Sequence, residues 1–283
     1  MNILNILFLT WNVGHPSPIP AFSSDFDKIK SNRSDLIIIN LQEIDKRSHI
    51  FNGQCEKSMN AYKHIIQKEF SNYNLLNSYN FQSLALFILI RKNTQFQGIN
   101  NQTVNFIKHK SDGKSSIIYG FSINNKSFSI IGNHFQHDAE NFDERNLEWL
   151  TVTYDLLFEA DFVVLLGDLN YRIELSYKKV LKRISQKNFD RLLRSDQLKK
   201  AQKIFPLLNL FKEPIINFQP TYKFDLNSSS YDTSHKKRTP SYTDRILVAT
   251  FKNNSLPKAS VYDVVNSLQS DHRPVFAVYD FFV

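Results

Sequence analysis

The order and composition of its segments predict that this chain has an α/β layered fold, in which β-sheets pack together and helices cover them. Short apolar runs rich in Ile, Val, Leu and Phe recur along the chain, each bounded by Asn, Ser, Asp or Gly, as is typical of buried strands. Segments with helical periodicity lie between these runs. Strands that precede and follow helices in this way favour sheets with helices on their outer faces.

Eight segments are predicted as strands: residues 3–9, 36–41, 84–90, 117–123, 128–131, 162–166, 246–251 and 275–281. Four are predicted as helices: residues 55–70, 141–159, 176–185 and 188–203. The sequence has no internal repeat, low-complexity tract or obvious linker. The polar stretch 225–240 is predicted as a loop, and loops of this length in compact domains are usually functional or disordered.

The length of 283 residues and the spread of polar motifs from Asn12 to His272 predict one domain, residues 1–283. A chain of this size buries about three quarters of its unfolded surface, so it needs no disulfide or structural metal. Cys55 is the one cysteine, which excludes an internal disulfide and a cysteine-based zinc cage. The apolar opening 2–11 lacks a basic leader, and no apolar run approaches the roughly 20 residues of a membrane span. We therefore expect a soluble, cytoplasmic protein.

The chain carries 35 Lys and Arg residues against 27 Asp and Glu residues, so its net charge is +8. A field of this sign favours anionic partners such as nucleic acid, acidic lipid headgroups or polyphosphates, without choosing among them. Lys178, Lys179, Lys182 and Arg183 have helical spacing, and they are predicted to form a solvated helix face rather than a binding stripe.

Four of the predicted strands lead into a polar group suited to binding metal or phosphate: Asn12, Glu43, His134 and Asp168. One such residue would be ordinary, because strands commonly turn polar where they leave the core. Four of them, each followed by further acidic, amide or basic residues, predict that the strand ends converge on one site. Glu43 and Asn12 offer hard oxygen ligands, and Mg²⁺ typically takes only one or two carboxylates.

The segment GDLNYR begins at Gly167 and follows a predicted strand. If the strand continues, a period of two places Asp168 and Asn170 on the same face. Asp168 could then take a proton from a water molecule that Asn170 holds, and Arg172 could bind phosphate oxygens. A Gly-Asp pair at a strand end is also common turn chemistry, so this segment is not decisive alone.

Asp271 and His272 precede the last predicted strand, and Asp244 precedes another. A histidine can protonate or hydrogen-bond a phosphoryl oxygen, and a nearby carboxylate sets its tautomer and raises its pKa. Asp244 could supply that carboxylate. A surface salt bridge between Asp244 and Arg245 is an equally good interpretation of the same residues.

Tyr222 and Lys223 are followed, across the polar loop, by Lys236, Lys237 and Arg238. A charge run of this kind is usually solvated. A hydrolytic centre, however, needs to bind only the phosphate that it removes. Cations beyond that need indicate a substrate with further phosphates.

Together these segments resemble the catalytic domain of the inositol polyphosphate 5-phosphatases, within the endonuclease/exonuclease/phosphatase superfamily. The resemblance covers essentially the whole chain, and its motifs occur in the family's order: TWNVG, LQEI, NHFQH…ERN, LLGDLNYRI, PTYKFD…YDTSHKKRTPSYTDRIL and SDHRPV. It implies a four-layer α/β/β/α sandwich of two mixed β-sheets flanked by helices, the deoxyribonuclease I-like fold, with the active site at one end of the sheets.

The resemblance also implies a reaction and a role for each residue. The expected reaction is removal of the 5-phosphate from phosphatidylinositol 4,5-bisphosphate or 3,4,5-trisphosphate, or from soluble inositol polyphosphates. The implied ligands of Mg²⁺ are Glu43 and Asn12. The implied catalytic residues are Asp168, which activates the water, Asn170, which positions it, and His272, Asp271, Asp244 and His134, which act on the phosphoryl group. The implied substrate-binding residues are Arg172 beside the scissile phosphate, and Tyr222, Lys223, Lys236 and Arg238 at the neighbouring 4-phosphate.

The chain departs from the family's commonest pattern at a few positions. His134 and His137 are three residues apart, whereas the family's usual histidine pair is four apart, so a role is assigned to His134 alone. Tyr242 and Thr243 stand where Trp and Cys are most frequent, which keeps an aromatic and a small residue.

Two alternative functions stay open at this point. A nuclease of the same superfamily would use the same metal and catalytic residues, and a basic chain suits nucleic acid. A nuclease, however, has no need of the cluster formed by Tyr222, Lys223, Lys236 and Arg238. An inactive phosphoinositide-binding module is the other alternative, against which Asp168 and His272 argue. The expected partner is a phosphoinositide lipid or a soluble inositol polyphosphate, bound by a monomer, with peripheral membrane contact through surface loops and without nucleic acid.

Overall fold

The computed structural model describes residues 2–16, 19–45, 56–96, 99–154, 159–252 and 254–283. The strands in these ranges are, in chain order, β1 (Ile3–Asn12), β2 (Leu36–Gln42), β3 (Tyr73–Phe81), β4 (Leu84–Arg91), β5 (Asn100–Lys108), β6 (Ser115–Ile123), β7 (Lys126–His134), β8 (Phe162–Asp168), β9 (Asp244–Thr250), β10 (Lys258–Val264) and β11 (Val275–Phe282). The helices in these ranges are α1 (Asp27–Lys30), α2 (Glu56–Glu69), α3 (Phe142–Thr153), α4 (Tyr177–Ser185), α5 (Phe189–Leu193), α6 (Gln197–Ile204) and α7 (Pro206–Asn209).

The strands form two mixed sheets. One has six strands in the order β10-β11-β1-β2-β4-β3, and the other has five in the order β5-β6-β7-β8-β9. Each sheet contains one parallel pair, β1 with β2 and β7 with β8, and its other neighbours are antiparallel. All eight predicted strands are present, and three strands that were not predicted, β3, β5 and β10, lie at sheet edges.

Alternate residues of the central strands face two different apolar layers. In β1, Phe8 packs between the two sheets, whereas Leu7 and Leu9 pack against the helices outside. Phe8 lies edge-on to Phe281 of β11, with ring centroids 6.3 Å apart. Burial on both faces explains why these strands are continuous apolar runs rather than alternating ones.

Helices cover the outer face of each sheet. Tyr62 of α2 belongs to the core outside the six-stranded sheet, and Trp149 of α3 and Leu198 of α6 belong to the core outside the five-stranded sheet. The layer order is therefore helices, sheet, sheet, helices. This confirms the predicted four-layer α/β/β/α sandwich of two mixed sheets flanked by helices.

Three of the four predicted helices correspond to single helices, α2, α3 and α4, whereas the short helices α1 and α7 were not predicted. The predicted helix 188–203 is wrong as a single element, because the chain is extended at Asp196, between α5 and α6. The Asp196 carboxylate accepts a hydrogen bond from the Lys199 backbone N–H at 3.2 Å and so caps the start of α6. Cys55, predicted to begin a helix, lies outside the described residues. No helix in the described ranges is long and apolar enough to cross a bilayer.

Candidate active site

The candidate site lies where the parallel strand pairs of the two sheets end. β1 ends at Asn12, and Glu43 directly follows β2. In the other sheet, the register pairs Asp168 with His134 on one side and with Asp244, the first residue of β9, on the other. Paired residues on neighbouring strands project to the same face. The structure thus brings the four predicted strand ends together.

Gly167 allows β8 to approach β7 closely just before Asp168. Its φ is +149°, in the region that favours glycine. A Cβ atom at this position would lie 2.1 Å from the carbonyl oxygen of Asn133. Any side chain here would push the two strands apart and displace Asp168.

An acidic centre forms around the Asn12 amide. Asn12 Nδ2 donates to Glu43 Oε1 at 3.2 Å and to Asp168 Oδ2 at 2.9 Å. Asp168 is buried, and burial raises the pKa of its carboxyl group although the charge of His272 opposes the shift. The carboxylates of Glu43 and Asp168 are hard oxygen donors that suit a small divalent cation. Asn12 Oδ1 accepts from the Gly14 N–H at 3.0 Å, so the Asn12 amide would have to turn over to present its oxygen to such an ion.

Asp168, Asp244 and His272 form a second group of potential ligands, with ligand atoms within 4.8 Å of one another. His272 Nδ1, however, lies 3.0 Å from Asp244 Oδ2 and 3.2 Å from Oδ1. Burial lowers the pKa of His272, but the carboxylates of Asp244 and Asp168 outweigh it and raise that pKa to about 9. A histidine ligand must be neutral, so the cation fits better between Glu43 and Asn12.

Two hydroxyl groups fix Asp244 in place. Thr221 Oγ1 donates to Asp244 Oδ2 at 2.6 Å, and Thr243 Oγ1 donates to the same oxygen at 2.9 Å. The alternative salt bridge between Asp244 and Arg245 at the surface is wrong. Arg245 is fully buried on the opposite side of β9, where it donates to Asp196 Oδ1 at 2.9 Å and pairs with Glu213.

The other nitrogen of His272 faces the cavity. Nε2 lies 3.9 Å from Asp168 Oδ2, and the Tyr222 ring lies against the imidazole with a centroid distance of 4.4 Å. Because Nδ1–H donates to Asp244, Nε2 carries a proton only when the ring is cationic. His272 can therefore donate from Nε2 only in its protonated form.

Lys114 is a buried cation beside His134 that the sequence analysis missed. Its Nζ lies 2.5 Å from His134 Nε2, and that nitrogen lies 3.6 Å from Asp168 Oδ2 and 3.7 Å from Glu43 Oε1. Burial, together with the Lys114 ammonium, holds the pKa of His134 well below its usual range. His134 is thus a neutral acceptor at Nε2 for Lys114, and burial lowers the pKa of Lys114 as well while the carboxylates of Asp168 and Glu43 oppose that shift.

Asn170 and Arg172 form one connected unit. The Asn170 backbone N–H donates to Asp168 Oδ1 at 3.1 Å, and its Nδ2 donates to the Phe135 carbonyl at 3.0 Å. Arg172 donates from Nε to the Asn170 carbonyl at 3.1 Å and from a terminal nitrogen to Asn170 Oδ1 at 2.5 Å. The Arg172 guanidinium lies 4.5 Å from the Tyr222 ring centroid. These contacts orient both side chains at the cavity wall.

Asp271 pairs with Lys223 rather than with His272. Lys223 Nζ lies 2.5 Å from Asp271 Oδ2. Burial would raise the pKa of Asp271, but the charges of His272 and Lys223 lower it. Asp271 is therefore a structural partner of Lys223 in this arrangement, and it is Asp244 that orients His272.

Two adjoining cavities hold the predicted residues. The smaller, of about 290 Å³, is lined by the metal-binding and catalytic candidates. The larger, of about 740 Å³, is lined by Lys236 and Arg238, and both cavities are bordered by His137, Arg172 and Tyr222. Lys223 lines neither cavity. The structure thus places Tyr222, Lys236 and Arg238 next to the catalytic candidates and directs Lys223 towards Asp271.

Two residues that the sequence analysis missed, Lys114 and Thr221, act through partners that are distant in the chain. Lys114 contacts a histidine 20 positions away, and Thr221 contacts an aspartate 23 positions away. A Gly-Lys turn before β6 was a local signal for Lys114, although such turns are common. The two threonines carry no pattern that distinguishes them from other strand-end threonines.

Comparisons with known proteins agree with this geometry. The family model described as endonuclease/exonuclease/phosphatase family 2 matches residues 9–278. Inositol-1,4,5-trisphosphate 5-phosphatase 1 of Schizosaccharomyces pombe is 37% identical over 180 residues, which is 60% of this chain. Synaptojanin-2 of Homo sapiens is 30% identical over 263 residues, which is 87% of this chain.

A solved structure extends the likeness over the full length of the chain. It is the inositol polyphosphate 5-phosphatase domain of a synaptojanin in complex with inositol 1,4-bisphosphate and calcium ion, with a TM-score of 0.84 and 26% identity. The match covers 99% of this chain and 84% of that domain. The chain spans only 16% and 17% of the lengths of the two curated relatives.

Proposed function

The chain belongs to endonuclease/exonuclease/phosphatase family 2, and from that premise we propose that it hydrolyses the 5-phosphate of phosphoinositides or soluble inositol polyphosphates. The observation that carries this proposal is the junction of two cavities. Catalytic candidates converge in the smaller one, and a row of cations lines the larger one beside it. A phosphomonoester with further phosphates on the same ring needs both.

In the proposed reaction, a water molecule attacks the phosphorus in line with the leaving inositol oxygen. The bond from phosphorus to that oxygen breaks, and the oxygen takes a proton from solvent to leave as a hydroxyl group. Asp168 accepts a proton from this water, and its raised pKa makes it a stronger base than an exposed carboxylate. Asn170 fixes the water position, because its own amide is held by Phe135 and Arg172. No covalent intermediate is required.

Positive groups stabilise the charge that spreads over the phosphoryl oxygens. Protonated His272 donates from Nε2, Lys114 supplies a buried ammonium, and Arg172 offers a guanidinium already oriented by Asn170 and Tyr222. Preorganised donors of this kind cost no reorganisation when the charge develops. Asp271 lines the smaller cavity and is paired with Lys223.

We assign the divalent metal to Glu43 and Asn12, with Asp168 adjacent. The ion is proposed to be Mg²⁺, which is held by one or two carboxylates and completes its shell with water and substrate oxygens. When bound, it would neutralise charge on the scissile phosphate. The solved synaptojanin domain contains a calcium ion, which supports a hard divalent cation in this family.

The 4-phosphate is assigned to Tyr222, Lys236 and Arg238. The Arg238 backbone N–H donates to Asp232 Oδ2 at 2.9 Å, and Arg238 Nη1 lies 3.6 Å from the same oxygen. Asp232 thus holds the backbone at Arg238 in place, while the guanidinium group borders the larger cavity. We further propose that the chain acts as a monomer and contacts membranes only peripherally when its substrate is a lipid.

Phosphate release from a panel of inositol phosphates and short-chain phosphoinositides tests the proposal. We expect release with Mg²⁺ that EDTA abolishes and that Asp168→Ala lowers by roughly 10²–10⁴-fold. Arg238→Ala should mainly impair substrates that carry a 4-phosphate. Cleavage of single-stranded or double-stranded DNA or RNA in place of phosphate release would indicate the nuclease, and binding without release would indicate the inactive module.

A further inference from the structure

The larger cavity has more positive charge than one additional phosphate requires. Its cationic lining residues are Arg172, Lys179, Lys236, Lys237 and Arg238, and its acidic ones are Asp138 and Glu174. Glu174 is paired with Lys200 at 3.0 Å, and Asp138 lies 3.1 Å from His137, whose pKa burial lowers. Five cations thus face two carboxylates, of which only Glu174 has a cationic partner outside the cavity in the part of the chain that the structure describes. The cavity therefore keeps an excess of positive charge.

The ammonium groups of the three lysines that line the cavity have no partner among the described residues. The ammonium groups of Lys179, Lys236 and Lys237 make no hydrogen bond or ion pair within these ranges, whereas Arg238 lies near Asp232 and Arg172 is bound to Asn170. Like charges gathered around a concave space repel one another unless an anion joins them. The cavity is therefore prepared for a highly charged anion.

The two walls of the cavity come from separate elements. Lys236 and Lys237 lie on the loop that follows Tyr231, and Lys179 lies on α4. Tyr177, also on α4, connects the helix to that loop because its hydroxyl donates to the Asp232 carbonyl at 3.1 Å. Lys236 and Arg238 are assigned to the 4-phosphate. Lys179 and Lys237 remain without an assigned ligand, although both border the same space.

We infer that Lys179 and Lys237 form a subsite for a further phosphate, on the ring carbon next to the one that bears the 4-phosphate. This inference rests on the proposed function. With the 5-phosphate in the smaller cavity and the 4-phosphate beside Tyr222, the 3-position is the next one to enter the larger cavity. Inositol rings with vicinal 3-, 4- and 5-phosphates are then the preferred substrate class, whether the ring is free or part of a lipid.

Size is consistent with this assignment. The larger cavity holds about 740 Å³ beside the 290 Å³ of the smaller one. Cavities of roughly 300–1,000 Å³ accommodate whole small ligands. Two ring phosphates and part of the inositol ring therefore fit beyond the catalytic groups.

Two soluble substrates that differ by one phosphate provide the test. We would measure kcat/KM for inositol 1,3,4,5-tetrakisphosphate and for inositol 1,4,5-trisphosphate, and take the ratio of the two. Lys179→Gln should lower this ratio roughly 3- to 10-fold, as expected for one partly exposed charge-assisted contact. Lys237→Gln should lower it in the same direction.

Lys178→Gln is the matched control. Lys178 is also exposed and precedes Lys179 in α4, but it does not line the cavity. The two substitutions remove the same charge from the same helix turn, so their general electrostatic effects on anionic substrates cancel in the comparison. A fall in the ratio that is equal for Lys178→Gln and Lys179→Gln would overturn the subsite.

Vesicles distinguish ring recognition from contact with a lipid surface. The same ratio would be measured for phosphatidylinositol 3,4,5-trisphosphate over phosphatidylinositol 4,5-bisphosphate, at equal mole fractions in phosphatidylcholine. A fall in both the soluble and vesicle ratios supports the subsite, and a fall in the vesicle ratio alone overturns it in favour of membrane contact. A wild-type chain that releases phosphate from none of the four substrates would instead refute the proposed function.

Discussion

Replacing Asp244 with asparagine should lower the pKa of His272 and shift the alkaline limit of activity to lower pH. In the wild type, burial lowers the pKa of His272, but Asp244 and Asp168 raise it to about 9. The imidazole loses its proton as pH rises through that value. Because Nε2 can donate only from the cationic ring, this value should set the alkaline limit of activity, while the raised pKa of Asp168 should set the acid limit.

The distance gives the size of the shift. Unit charges 3.0 Å apart, the separation of His272 Nδ1 and Asp244 Oδ2, interact by ~1.4 kcal/mol at the dielectric constant of water and by ~5.5 kcal/mol at an effective value near 20. At 1.36 kcal/mol per pKa unit, these figures correspond to roughly 1 to 4 units. Burial of both groups favours the upper half of that range.

The assay is the pH profile of kcat/KM for phosphate release, with an NMR titration of the His272 ring as a readout independent of activity. Asp263→Asn is the control, because Asp263 is a half-exposed carboxylate on β10 that pairs with Lys28 at the surface. The alkaline limit should move only in Asp244→Asn. If the ring titrates at lower pH in that variant while the limit stays at its wild-type position, protonated His272 does not govern the rate and our reasoning is refuted.

Two further predictions concern the framework of the site. Arg245→Met removes the only cation paired with buried Asp196 and leaves buried Glu213 with Lys199 alone among the described residues, so the free energy of unfolding in urea should fall by roughly 3–5 kcal/mol. The exposed Arg33→Met is the control and should change it little, and equal values for the two variants would contradict this. Gly167→Ala places a methyl group 2.1 Å from the Asn133 carbonyl oxygen, so it should lower the free energy of unfolding by roughly 1–3 kcal/mol. It should also reduce activity, because the strand shift displaces Asp168. An unfolding curve that overlays that of the wild type would disprove the close approach.

The sequence was sufficient for strands that are buried on both faces and insufficient for those at the edges. β8 is buried at every position, and its apolar run is unmistakable. β5 is mostly exposed, and its Asn, Gln and Thr residues face solvent. β9 also ends a sheet, but Lys212 bridges to Val248 and covers it, so it remained apolar and was predicted. A hydrophobic sequence pattern therefore indicates burial, and it predicts a strand only where that strand is buried.

The same limit applies to the site. Asp168, Glu43 and Asn12 were predictable because each follows a recognisable apolar run. The sequence could not decide whether Asp244 pairs with His272 or with Arg245, because the answer depends on which face of β9 Asp244 and Arg245 each occupy. Lys114 was missed because its burial arises from the meeting of two sheets, which no local pattern records.

The arrangement of opposite charges on consecutive residues of β9 protects its register. Asp244 faces His272 on the inner side, and Arg245 faces Asp196 and Glu213 on the outer side. A slip by one residue would reverse the two sides, so that a guanidinium would confront the imidazolium and a third carboxylate would join two buried ones. The misaligned state would incur both repulsions at once. Electrostatic repulsion thus disfavours the misaligned register at the strand that carries Asp244.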